Sequence, residues 1–331
     1  MILAVLIHSN SHAQNLIALQ TNGVSTFYTN LPDALTNAQN GDTIYLPGGS
    51  FDAITISKRL HVIGVGHHPD STNVTARSIV KGITINSGAD NGSISGITLN
   101  NNAITFMADL NGFTITRCLL SGGLNFYNDP NISNISISEN LLGTTILQGS
   151  NFSNFSMNNN IVIGQVGIDK STIKNNIFLY FNVYGYNGYP LKSNNCVIEN
   201  NFFVAYLDRN SSNCIYRNNV GGGVNGEDSY GNQGSNNYRD NGTLESIFIN
   251  YYPATTLIGE SIYKADFHLK PDSPYKNAGR DGTDIGIYGG AFPWKAGSIP
   301  ANPHFQSLKV RPTTDSNGNL NVKIKVAAQD R

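Results

Sequence analysis

A short apolar run preceded by asparagine recurs along this chain, as "ENLLG", "NNNIVIG", "IKNNIFLY", "ENNFFVA" and "RNNVGGG". Ahead of several of these runs, apolar and hydroxyl residues alternate, as in "NISISEN" and "STIKNN". Alternation with a period of two puts successive side chains on opposite faces of a strand. Setting the phrases in register on one inward apolar residue gives anchors at Ile85, Leu99, Ile115, Ile137, Met157, Ile173, Ile198 and Tyr216, 14 to 25 residues apart. An irregular repeat of about 20 residues, β-branched and punctuated by Gly and Asn, predicts a solenoid of short strands. Helical repeats are longer and do not accommodate this much Gly and Asn.

The columns around the anchors extend the prediction. Positions two and five before them are mostly apolar, from Val80 and Ile83 to Phe152 and Phe155, as inward stacks require. Three before stand Gly82, Gly96, Gly112, Asn134, Asn154, Lys170, Asn195 and Asn213. All but Lys170 are the types that most readily take positive φ in a tight bend. Three after stand Gly88, Asn102, Cys118, Asn140, Asn160, Asn176, Asn201 and Asn219. Parallel coils stack about 4.8 Å apart, so like side chains at one turn lie over each other and predict an amide ladder. Cys196 and Cys214 share a column of consecutive coils, either as a disulfide or as stacked thiols.

Composition narrows the class. At 331 residues the chain exceeds one compact core, so it forms several domains or a repeat that grows along one axis. Only 13% of residues are charged, against about 25% in an average domain, which predicts a hydroxyl and amide surface. A net charge of −1 with scattered basic residues shows no footprint for nucleic acid or an anionic membrane. The opening "MILAVLIHSNSHAQN" has an apolar run and a small-x-small Ser11-His12-Ala13, without the usual basic start. It predicts a signal peptide over residues 1–13 and an extracellular or cell-surface location. No other stretch approaches the roughly 18 apolar residues of a membrane span.

The ends read differently from the middle. "NLPDALTNAQNGD" predicts a short N-terminal capping helix with Asn30 as cap and Pro32 in the first turn, ending at Asn40-Gly41. Residues 299–331 predict a hairpin-like C-terminal β arm, two strands joined by a turn around Asp315 to Gly318. Such an arm either braces the solenoid or, through residues 300–331, assembles with a partner. The segment "NAQNGDTIYLPGGSFDAITISKRLHVIGVG", residues 37–66, resembles the entry coil of the pectate-lyase-like superfamily. "FHLKPDSPYKNAGRDGTDIGIYGG", residues 267–290, resembles the closing coil of its secreted bacterial members. The resemblance covers roughly residues 25 to 292 and implies an all-β, right-handed parallel β-helix. It is unspecific for function, because that superfamily includes lyases, hydrolases, adhesins and binding proteins.

Lyases of this fold generally hold Ca²⁺ with carboxylates and remove a proton with Arg or Lys, while hydrolases use grouped aspartates. The chain has no Asp-Asp pair and no Gly-His-Gly. One outward column does turn ionic: after Asn86, Asn100, Thr116, Ser138 and Asn158 come Lys174, Glu199 and Arg217. These three form either a surface charge ladder, worth at most about 1 kcal/mol per pair, or a sugar-acid site served by Lys174 or Arg217. The insert at residues 180–194 carries Tyr180, Tyr184, Tyr186 and Tyr189, rings that either stack on sugars or pack the loop down. A loop at residues 221–242 offers Glu227, Asp228 and Asp240 as a weak Ca²⁺ candidate without EF-hand spacing, and no Cys/His metal cluster is visible. The expected function is a non-catalytic secreted or surface protein that binds extended polysaccharide or another surface component. A polysaccharide lyase acting on a uronate-containing glycan and a structural assembly subunit are the alternatives.

Overall fold

In the computed structural model the chain winds into a parallel β-solenoid of about eight turns with few helices. The structure describes residues 16–143, 146–149, 151–179, 190–206, 211–222, 230–240, 244–251, 260–295, 297–300 and 303–328. The expected signal peptide therefore lies outside the described residues. The first and longest sheet begins with the antiparallel strands Val24–Tyr28 and Ile17–Thr21 at its N-terminal edge. From Thr43–Tyr45 through His61–Ile63, Gly92–Ser95, Leu110–Thr116, Ile132–Ser138, Phe155–Asn158, Ser171–Lys174, Val197–Glu199, Ile215–Arg217 and Gln233–Ser235, every pairing is parallel. A second sheet runs from Gly49–Phe51 to Tyr238–Arg239, and a third from Ile54–Ile56 to Leu124–Phe126.

From Ile115 onward the predicted register holds, with Ile115, Ile137, Met157, Ile173, Ile198 and Tyr216 paired in one column. The first two anchors need correction. Ile115 pairs with Ile94, whereas Leu99 lies in the second sheet opposite Leu120 and Ile85 in the third opposite Phe106. Short apolar strands look alike in all three sheets, so matching phrases alone slipped by one sheet. Gly88 and Asn102 consequently stand outside the asparagine column, and Gly82 does not take positive φ. Lys170 does, at 50°, because the bend fixes the backbone whatever the side chain.

The sharp corner between the first and second sheets explains the doubled asparagines. Two positions after the anchor, Gly96, Arg117, Glu139, Asn159, Asn175, Asn200 and Asn218 all have φ between 51° and 66°, the left-handed region that Gly and Asn enter most easily. The next residue points inward. Asn140, Asn160, Asn176, Asn201, Asn219 and Asn237 form the predicted ladder, each Nδ2 donating to the next Oδ1 at 2.9–3.1 Å. Asn176 is fully satisfied: Nδ2 also donates to the carbonyls of Met157 and Lys174, and Oδ1 accepts from the backbone and side-chain N–H groups of Asn160. Cys118 heads the column by donating its backbone N–H to Asn140 Oδ1. Cys196 and Cys214 remain thiols in a second inward stack, where each Sγ accepts a backbone N–H from the coil before it. Burial pushes the Cys118 thiol up to about 12.

Beyond the ladder the chain enters the second sheet, whose central strands are buried on both faces. Leu142, Val162, Phe178 and Phe203 join the solenoid core, while Leu141, Ile161, Ile177 and Phe202 pack outward against Phe248, Phe267, Tyr275, Ile285 and Ile287. A strand covered on both sides reads as an unbroken apolar run, which is why the repeats carry "LL", "IV", "IF" and "FF" there. The covering layer includes a strap, the described residues of 277–300, that travels back along the corner. Asn218 Nδ2 donates to Ala278 O, the Gly286 N–H to Asn200 O, Asn159 Nδ2 to the carbonyls of Ile287 and Gly289, and an Arg117 guanidinium nitrogen to Ile299 O. The segment expected as a closing coil, residues 267–290, divides between a strand, Asp266–Leu269, paired antiparallel with Phe248–Asn250, and the first half of this strap, which the corner column holds. The strap lies so close that a Cβ at Gly289 would fall 2.7 Å from Asn175 Nδ2 of that column. Asp281 and Asp284 serve its own turns, accepting from Thr283 and from Asn277 and Lys276.

At the N-terminus, helix Leu31–Asn37 is capped by Asn30, whose side chain accepts from the Asp33 N–H, and it buries Leu31 and Ala34. It stops short of the predicted Asn40-Gly41, since Ala38 is already extended, and Lys58 Nζ takes the carbonyls of Leu35, Thr36 and Ala38 left at its end. At the other end, His304–Val310 and Val322–Ala327 form an antiparallel hairpin whose turn is closed by Gly318 N–H donating to Asp315 O. No helix among the described residues is long and apolar enough to cross a membrane.

Candidate functional site

The outer face of the first sheet presents two columns. One reads His61, Ser93, Thr114, Ser136, Ser156 and Thr172; the other reads Ile63, Ser95, Thr116, Ser138 and Asn158 before turning to Lys174, Glu199 and Arg217. The predicted ionic ladder is therefore real and in register. Alternation makes it legible, because every second residue of a strand faces outward and neighbouring coils align like positions.

The structure adds a fourth member. Glu199 is almost fully buried, with Lys174 Nζ 2.9 Å from Oε2 and Arg217 NH1 3.1 Å from Oε1. Arg280, from the strap, reaches the same Oε1 at 2.6 Å. Burial alone would raise the Glu199 pKa, but hydrogen bonds and charge from Lys174, with hydrogen bonds from Arg280 and Arg217, outweigh it and hold the carboxyl below the usual range. Its three cations keep part of their surface in water. Glu199 is thus a fixed anion beneath a cationic rim, without the raised pKa that a general acid needs. Lys174 and Arg217 both donate to it.

Four coils earlier on the same face lies a groove of about 350 Å³, lined by Ser95, Thr114, Thr116, Ser136 and Ser138. Arg117 and Glu139 close one side as a buried pair, with Nε 3.0 Å from Oε2, and Phe292 of the strap stands at the rim with 62% of its surface exposed. Nothing singled out these three residues in the sequence. A signal existed for two of them: tabulating the position two after each anchor puts Arg117 and Glu139, opposite charges, on consecutive coils. Phe292 and Arg280 carried none, since only the path of the strap brings them here.

The other predicted residues fall elsewhere. Tyr180, Tyr184, Tyr186 and Tyr189 lie outside the described residues, as do Glu227 and Asp228. Asp240 is described, and its carboxylate accepts a hydrogen bond from the Tyr275 hydroxyl. Among the described residues no three His, Cys, Asp or Glu side chains are grouped to hold a metal ion.

No protein-family model matches this chain, and no curated protein matches it. A parallel solenoid hosts unrelated activities, so the fold alone does not supply a function.

Proposed function

We propose that the protein is a non-catalytic member of the pectate-lyase-like β-helix class, exported or displayed at the cell surface, that binds extended polysaccharide along the outer face of its first sheet. The observation that carries this reading is the groove of aligned hydroxyls with Phe292 exposed at its rim. Hydroxyls at each coil offer repeated hydrogen bonds to a chain of sugars, and an exposed ring supplies an apolar face for one of them. Toward the later coils the face becomes cationic, because three cations surround one carboxylate and leave an excess of two positive charges. That end favours glycans carrying uronate groups, and the contribution weakens with added salt.

Ser138→Leu, which fills the groove and removes a hydroxyl without adding charge, is expected to abolish binding to polygalacturonate in affinity electrophoresis, and Phe292→Ala to weaken it. Full binding by both variants overturns the assignment. A lyase would release unsaturated sugar with a new ultraviolet absorbance. A steady rise on uronate polymers, with or without Ca²⁺, would replace the binding reading by the catalytic one.

One observation favours a second role. Val310, Val322, Ile324 and Val326 of the C-terminal hairpin are each about half exposed, with Val310 directly opposite Val322. A two-stranded sheet with an uncovered apolar face is unstable alone and suits assembly. Removal of residues 300–331 is expected to reduce particle size in light scattering, and an unchanged size removes the assembly role.

A further inference from the structure

Away from the first sheet, a cavity of about 230 Å³ lies between the outer face of the second sheet and the C-terminal layer. Leu141 and Ile161 supply an apolar floor, and His67, His68, Tyr263, His268, Tyr288 and Trp294 form the walls. His67 is 1% exposed and burial holds its pKa down at about 3, so the ring is neutral. Its Nδ1 lies 2.9 Å from the Tyr263 hydroxyl, while Nε2 has no hydrogen-bond partner among the described residues. Buried polar atoms are nearly always satisfied, so an orphan on a residue that lines the cavity calls for a partner, which a ligand in that cavity can supply.

The chemistry of that ligand follows from the groups around it. If the Tyr263 hydroxyl donates to Nδ1, Nε2 carries the ring proton and seeks an acceptor; if Nδ1–H donates to the phenol oxygen, Nε2 is itself the acceptor. An alcohol hydroxyl satisfies either tautomer, because it both donates and accepts. His68 Nδ1 accepts from the Asp70 N–H, which leaves the other ring nitrogen as a donor, and Asp266 beside His268 brings carboxylate acceptors. His268 is stacked on Tyr288 with centroids 3.5 Å apart, a flat aromatic wall. Aromatic walls with donors and acceptors at the edge suit a ring that is apolar on its faces and hydroxylated at its rim. The volume is below the roughly 300 Å³ where drug-sized sites begin, so one ring fits and a chain does not.

We propose that this cavity is a separate binding site for a single neutral sugar ring, held by His67 Nε2 and stacked among His268, Tyr288 and Trp294. It shares no lining residue with the hydroxyl groove and stands whether or not that groove binds polysaccharide.

Trp294 is the one tryptophan in the chain, so its fluorescence reports on this cavity. The full chain is titrated with glucose, galactose, mannose, N-acetylglucosamine and galacturonate. A saturable change with at least one neutral sugar is expected, weakened about tenfold or more by His67→Phe and by His268→Ala and unaltered by Phe292→Ala. Should His67→Phe fail to fold, His268→Ala on the half-exposed wall carries the test. No saturable change with any of the four neutral sugars overturns the site, as does a response that both cavity variants leave intact. Tighter binding of galacturonate than of galactose overturns its assignment to neutral rings.

Discussion

Asn175 and Asn176 are neighbours in sequence with the same side chain, yet they belong to two regions under opposite constraints. Asn176 sits inside the solenoid, where its carboxamide uses both donors and both lone pairs of its oxygen. Asn175 sits on the corner outside, at φ 54°, and sends one long hydrogen bond of 3.3 Å to Gly286 O of the strap. The inner column demands a side chain with amide valence, whereas the corner demands a backbone angle and a link outward. From Asn140 to Asn237 the inner column is unbroken asparagine, while the corner column admits Gly96, Arg117 and Glu139. Arg117, Asn159, Asn175, Asn200 and Asn218 of the corner column tie the strap to the solenoid.

The sharpest way to break this contrast is Asn176→Leu. It removes the acceptor of the Asn160 backbone N–H and the donor to Met157 O and Asn201 Oδ1, all buried, and is expected to cost about 4 kcal/mol in urea unfolding. Glu199→Gln comes next, at about 2 kcal/mol, because the buried carboxylate holds Arg280 of the strap but its cations remain partly in water. Its folded pKa is lowered, so this contribution is present above the unfolded carboxyl value of about 4.3 and is lost as pH falls below it. Proteolysis within residues 277–300 should therefore accelerate in acid for the natural protein and already be fast near neutrality for Glu199→Gln. Asn175→Ala is expected to cost about 1 kcal/mol, chiefly from forcing alanine into the left-handed region. Asn175→Gly should stay within about 0.5 kcal/mol, since glycine adopts that angle freely. If Asn175→Ala proves as damaging as Asn176→Leu, the distinction between the columns fails.

The ladder and the Lys174, Glu199, Arg217 column were legible in the sequence because both follow from local period and from stacking of like positions. The first anchors were not, since Ile85 and Leu99 sit in strands whose short apolar pattern is the same in every sheet. Arg280 was out of reach for a different reason: it is 81 residues from Glu199 and meets it only because the strap runs back along the corner. The His67 cavity was equally hidden, as its walls come from one early turn and a C-terminal layer with no repeat to align.

What the sequence alone determined is the solenoid: the alternation, the positive-φ residues at corners and the inward asparagines each specify one coil from its own residues. The tertiary structure alone decided how charges and aromatic rings are used. The strap converts an exposed charge column into a buried anion with three partners, places Phe292 beside the hydroxyl groove, and helps enclose His67. A periodic coil satisfies its hydrogen bonds with its neighbours, so its rules are local. The strap satisfies its own against the finished solenoid, and its contacts exist only once the coils are stacked.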